Sequence, residues 1–476
     1  MEAIKPKFGR IIAIVVVIIL LLVGVVGYVG WYNFFREVPT YYESPDEHWK
    51  YGSIGAEKPE GVPYWIWMVL PRVFPDKLPR PGGYASLGAV WEEGKELPIG
   101  FTKKTIGFPR VGVNCAVCHT GTVRTDPKDK PTFIMAAPTT RFNGQAYVRF
   151  LFDAANDPRF TADNILDEIK YNYDLSLFDK LLYRFIIIPV TKKALLKQEE
   201  TYTWMNGRPD WGPGRTDMNP FKLRVLKLAD DGSIGTTDVM ALWNQKAHEG
   251  FLRHTDGLNT TLVESALAGA LATGASRDSI DLESLQRIQD WLMELPPPKY
   301  PFDIDRTLAS QGQKIFTNEC ATCHAFGQPR TGQVIPAVEV GTDRNRTDHW
   351  TQEAADAFNE YAANYTWDFN HFRTSDGYVA LALDGVWARA PYLHNGSIPS
   401  LQDLLENPEK RPSVFYRGYD VYDREKVGFI SDGAEAEKVG FKYDTSVQGN
   451  SNQGHIYGTE LPAEDKKALI EYLKTL

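Results

Sequence analysis

All four cysteines of this 476-residue chain fall in two copies of one pentapeptide, Cys115-Ala-Val-Cys118-His119 and Cys320-Ala-Thr-Cys323-His324. In C-x-x-C-H, two thiols add across the vinyl groups of a haem and the histidine that comes next ligates its iron. A zinc ribbon would bring its C-x-x-C pairs closer together and would not call for a histidine after each. A thioredoxin-like redox motif explains those histidines no better. No cysteine is left over for a disulfide. The pattern therefore predicts two covalently bound haems c on Cys115, Cys118, Cys320 and Cys323, with His119 and His324 as proximal iron ligands.

The opposite side of each iron decides what a haem does. A second strong ligand, His or Met, makes an electron-transfer centre, whereas an open position admits O2 or peroxide. The other histidines are His48, His248, His254, His349, His371, His394 and His455; the methionines beyond the N-terminal segment are Met68, Met135, Met205, Met218, Met240 and Met293. His394 lies in Ala-Pro-Tyr-Leu-His-Asn-Gly-Ser (390–397) and His455 in a Gly- and Asn-rich loop (449–458). Both come after the second haem motif and precede the C-terminal helix, where a cytochrome c carries its distal loop. Spacing does not choose between them.

The elements around these residues begin with an uncharged apolar run, Ile11–Gly30. As a helix it extends about 30 Å, the thickness of a bilayer's hydrocarbon core. Lys5, Lys7 and Arg10 precede it, and Tyr28, Trp31 and Tyr32 stand at its far end. Basic residues inside and aromatic residues outside predict a single-pass signal anchor, residues 1–35 with the membrane helix at about 11–30. Gly-Trp-Tyr-Asn-Phe-Phe stands where a cleavage site would need small residues. The expected location is the bacterial inner membrane, with the soluble body in the periplasm where haem c is attached.

Net charge is −9. That balance excludes a nucleic-acid binder, which rewards basic patches, and suits a basic redox partner or a neutral substrate. Glu37 to Pro63, rich in Pro, Tyr and charge, reads as a stalk. Helical periodicity marks 164–173, 177–188, 260–272 and Asp281–Leu295, and Pro296–Pro301 reads as an interdomain linker, because consecutive prolines cannot continue a helix. Helices over 309–318 and 461–476 bracket the second haem motif as in a class I cytochrome c. The expected fold is mainly α with extensive loops: two cytochrome c-like haem domains, 36–300 and 301–476, behind one transmembrane helix.

The stretches LPIGFT (97–102), VGVNCAVCHTG (111–121), GPGRTDMNPFK (212–222), ALWNQK (241–246), HTDGLN (254–259), ARAPYLHNGSIPSLQDLL (388–405) and GNSNQGHIYGTEL (449–461) resemble the dihaem cytochromes c related to the rubber oxygenases. That branch lies near the bacterial dihaem cytochrome c peroxidases and the MauG enzymes. The resemblance implies a bis-histidine second haem on His324 and His455, and a first haem on His119 with an open distal side. It places Trp243 near that distal side and makes His394 a neighbour of the second haem that does not ligate iron. Where the pattern carries an aromatic residue before the tryptophan, this chain has Leu242, and Thr255 comes after His254. The resemblance to the peroxidases also raises a Ca2+ between the domains, for which no loop offers a convincing run of oxygen ligands.

The expected function is an oxidoreductase whose first haem reacts with H2O2 or O2 and whose second relays electrons from a redox partner protein or membrane electron-transport component. His254, with Asp256 nearby, is the candidate acid–base group for peroxide. Trp243 and Phe251 are candidates for an apolar oxygenase pocket, and Trp387 for a conduit between the haems. The alternative is a tethered electron carrier with both irons six-coordinate.

Overall fold

The computed structural model describes residues 5–363, 365, 367 and 369–476. Helices dominate, as the apolar spacing predicts. The N-terminal helix, Lys5–Phe34, is exposed along most of its length, and its stretch Gly9–Phe34 is long and apolar enough to cross a membrane. The segment Glu37–Pro63 is not a stalk. Strand β1 (Glu37–Val38) pairs with β3 (Phe101–Ile106) only three residues after the helix ends, and Trp49 and Ile54 are fully buried. Strands β2 (Val62–Pro63) and β4 (Phe108–Val113) complete a four-stranded antiparallel sheet, β1-β3-β4-β2, which the helical patterning does not foretell. At the β3–β4 turn a side chain on Gly107 would collide with the backbone of Asn33 and Phe34, so this hairpin seats the end of the N-terminal helix.

The helices are bounded by local chemistry. Asp281 caps Leu282–Glu294, its carboxylate accepting from the Ser284 N–H at 3.0 Å. Leu285, Ile288 and Leu292 of that helix are buried, while Leu282, the first residue of the apolar stripe, is exposed at the surface. The helix expected over 177–188 runs on to Glu200, through a π turn at Tyr183–Ile187. Pro189 explains the widened turn: it has no N–H to donate, and its ring crowds the carbonyl four residues back.

Packing crosses the proline-rich segment at 296–301. One apolar cluster joins Trp49, Ala116 and Leu292 to Trp350, Phe358 and Phe372; another joins Val123 and Trp243 to Trp387, Phe316 and Leu469. Helix Arg306–Glu319, which leads into the second haem motif, crosses the C-terminal helix Ala463–Leu473 so closely that a side chain on Gly312 would strike the Ala468 carbonyl.

Candidate functional site

The two C-x-x-C-H motifs sit on different scaffolds. Cys320 ends the helix Arg306–Glu319, and a further helical turn carries Cys323 and His324. Cys115 instead opens a single 3-10 turn after β4. Asn114 builds that turn: its Oδ1 accepts from the Ala116 N–H at 2.9 Å, and its Nδ2 donates to the carbonyls of Trp49 and Gly52. The segment with a stalk's composition thus supports the first motif.

Both histidines are held alike. His119 Nδ1 lies 2.8 Å from the Met240 carbonyl, and His324 Nδ1 lies 2.7 Å from the Leu381 carbonyl. Donation from Nδ1 fixes the ring and leaves Nε2 as the metal-binding nitrogen. Burial pushes the His119 imidazole down to about 4 and the thiols of Cys118 and Cys320 up to about 12. Neutral imidazole is the ligating form, and surroundings that disfavour thiolate suit an uncharged thioether.

The opposite faces differ. The His455 ring stands across from His324 with centroids 6.2 Å apart. An iron between two imidazoles, with metal–nitrogen distances of ~2 Å, needs a gap of that size. Among the described residues no ring is paired with His119 in this way; Met218 and Met135 lie in the apolar cluster that contains Ala116 and Cys115. Buried donors without protein partners also fit a haem's carboxylates: Arg215 Nε and Nη2, and His394 Nε2. His394 stacks on Tyr378 at 3.6 Å, and burial with the nearby Arg215 and Arg346 charges pushes it down to about 3.

Between the two histidine supports lies a polar junction that sequence reasoning missed. Asp384 takes His248 Nε2 at 3.1 Å, Arg389 Nη2 at 3.0 Å and Asn244 Nδ2 at 2.9 Å on its carboxylate, and its carbonyl accepts from the Trp243 indole at 3.1 Å. Trp243, fully buried, comes three residues after Met240, and Asp384 three residues after Leu381. Trp243 therefore lies on the segment behind His119 and reaches toward the support of His324. Trp387 points elsewhere, donating to the Pro298 carbonyl and meeting Tyr300 and Tyr422 edge-on. Phe251 stacks with His248 and Phe326, beside the second motif instead of the first. His254 lies beside Phe372, 3.2 Å from the Asn259 amide, while Asp256 is spent on a buried ion pair with Arg346. Among the described residues no group of three or more His, Cys, Asp or Glu side chains converges on a metal position.

Two loops repeat one geometry. Arg253–Asn259 and Tyr392–Ile398 each close on an isolated bridge, with positive φ at His254 and Leu393 and again at Gly257 and Gly396. Two residues on, Thr261 and Ser400 cap the helices Leu262–Ala272 and Leu401–Leu404. The loops are exchanged. The N–H of Asp238, in the strand Thr237–Asp238 and two residues before Met240, donates to the His394 carbonyl at 2.7 Å; that of Val379, in the strand Gly377–Val379 and two residues before Leu381, donates to the Thr255 carbonyl at 2.9 Å. Each histidine support is thus braced by the loop that comes after the other. Thr255, not His254, is the counterpart of His394, and the shared pattern Asp/Asn-Gly with Thr/Ser-Leu four residues later is present in the sequence.

Residues 377–416, which include the Leu381 support and the His394 loop, match the family described as RoxA-like, cytochrome c-like. The match relates this part of the chain to the rubber oxygenase cytochromes and implies covalently bound haem c. The chain is 34% identical over 286 residues to the protein named uncharacterized protein y4iM of Sinorhizobium fredii (strain NBRC 101917 / NGR234), across 50% of this chain and 64% of that one. It is 44% identical over 108 residues to uncharacterized protein y4iJ of the same strain, across 21% of this chain and 18% of the relative.

Proposed function

We propose that this chain is a membrane-anchored dihaem cytochrome c, an oxidoreductase with its body in the periplasm, whose two haem sites divide substrate chemistry from electron relay. The observation that carries the reading is the unequal surroundings of two like-held histidines: His324 faces His455 across 6.2 Å, and His119 faces no such ring among the described residues. When bound, the haem supplies reversible electron exchange at both sites and, where one side is open, a place for peroxide or O2. Cys115, Cys118, Cys320 and Cys323 would fix the two groups. His119 and His324 would ligate through Nε2, oriented by the carbonyls of Met240 and Leu381. His455 would complete the second site.

Trp243 and Asp384 join the two supports, so one bonded route between the sites runs Met240–Trp243–Asp384–Leu381. His254, half-buried beside Phe372, is the candidate proton carrier for peroxide. Burial lowers its affinity for protons to about 4, so near neutral pH it accepts a proton rather than donating one. The second reading, a tethered electron carrier, is favoured by Met218 and Met135, thioethers in the apolar cluster that also takes in Cys115 and candidates for a second ligand at the first iron.

Low-temperature EPR of the full-length ferric protein separates the two. One high-spin and one low-spin haem, with only the high-spin signal moved by peroxide, is expected. Two low-spin ferric haems, both unmoved by peroxide, would establish the carrier.

A further inference from the structure

The helix Leu177–Glu200 turns apolar side chains outward. Leu177, Phe178, Leu181, Phe185, Ile186 and Val190 are 42–76% exposed, Leu177 and Phe185 most of all. Together they form a continuous stripe about 20 Å long at the helical rise of about 1.5 Å per residue. The helix is not short of a core: Tyr183, Ile187, Ile188, Thr191 and Leu195 on its other side are buried. A stripe of this size on a soluble surface marks a binding face.

Three observations select the occupant. The stripe runs into Lys193 and Lys197, which make no ion pair among the described residues, so an apolar and basic face stands on a chain of net charge −9. Tyr171 and Tyr173 flank it, 77% and 46% exposed, Tyr173 stacked on Trp65 at 3.8 Å. Apolar, aromatic and basic residues in this arrangement are those of a helix lying in a bilayer interface. Finally, the body has no free tether: β1 begins three residues after the anchor helix, and Gly107 of the β3–β4 turn touches the end of that helix. Phe108 of this turn packs on the same core as Ile187 and Ile188.

We propose that this stripe rests on the membrane surface, with Phe178, Leu181, Phe185 and Val190 among the lipid chains and Lys193 and Lys197 at anionic headgroups. The proposal rests on the reading of the chain as membrane-anchored, and its test separates the two. In the haem-loaded full-length protein the native cysteines are consumed by thioethers, so Phe185→Cys, Val338→Cys and Val15→Cys each offer one site for a nitroxide label. Val338 is an exposed control at 76% and Val15 lies in the anchor helix.

In vesicles of phosphatidylcholine and phosphatidylglycerol, power-saturation EPR should give the Phe185 label an O2-to-nickel-complex accessibility ratio severalfold above that of Val338, and near that of Val15. Adding Lys193→Glu and Lys197→Glu should lower the ratio at position 185, more in anionic than in neutral vesicles. A Phe185 label as wet as Val338, with Val15 in lipid, overturns the docked stripe and leaves the anchor standing. A wet Val15 with Phe185 in lipid would overturn the anchor alone. Dipolar broadening at position 185 that vanishes on dilution with unlabelled chain, without lipid contact, would identify a second copy on the stripe and also overturn the proposal.

Discussion

The surroundings of His119 and of His324 show how one pentapeptide yields two sites. Each histidine gives its Nδ1 proton to a backbone carbonyl, at 2.8 and 2.7 Å, and each support strand is braced by a loop of the same shape. The shared parts are backbone geometry. The differences come from side chains supplied by distant segments. A histidine from the loop at 449–458 faces one ring, and the apolar cluster of Trp49, Met218 and Trp350 surrounds the other motif. Any difference in ligation between the two would therefore be set by what the rest of the chain brings across from the motif.

The largest break in that comparison should come from His455→Ala. Removing the facing imidazole is expected to turn the low-spin signal of the second haem high-spin, leaving the first haem's spectrum unchanged, so that the two sites come to look alike by EPR. A spectrum that keeps its low-spin component would assign that component elsewhere.

A smaller effect is expected of Asp384→Ala, which leaves the buried Arg389 and the amide of Asn244 without their carboxylate partner. Breaking a buried charge pair from one side costs about 3–5 kcal/mol. Because the junction touches both supports, the absorbance of both haems should shift to one lower thermal transition. Separate transitions would show that the sites are braced independently.

The smallest concerns pH. His349 is fully buried against Gly235, with Nδ1 2.6 Å from Ser233 Oγ, on the loop that leads into the strand Thr237–Asp238 and the His119 support. Burial lowers it from 6.5 to about 4. Below 6.5 the unfolded chain takes up a proton that the folded one refuses until about 4, so stability should fall with pH across that window, by about 3 kcal/mol in all. In His349→Gln the slope of stability against pH should flatten over the same range, whatever the variant's absolute stability, as measured by denaturant titration.

Legibility in the sequence tracks the range of the interactions. The C-x-x-C-H spacing, the capped helix after Asp281 and the apolar run of the anchor are local patterns, and they are readable. The four-stranded sheet is not, since β1 and β2 are two residues each and exist only because β3 and β4 pair with them. Glu37–Pro63 has the Pro and charge density of a linker, whereas Trp49, Ile54 and the carbonyls that hold Asn114 give it a core role. Asp384 offers no signal at all: an aspartate before a glycine reads as a turn, and its four hydrogen-bonding partners come from another stretch of chain as well as its own.

The exchange of loops between the halves also bears on how the chain is made. The Asp238 N–H waits for the His394 carbonyl, 156 residues later in the chain. During N-to-C synthesis, Cys115 and Cys118 therefore emerge long before their own support is complete. Until the second half arrives that bond cannot form, and the motif whose thiols the finished fold half-buries lacks this brace. A fragment ending at the proline-rich segment would stop the clock at that stage, with Cys115 and Cys118 accessible and the Met240 support unbraced.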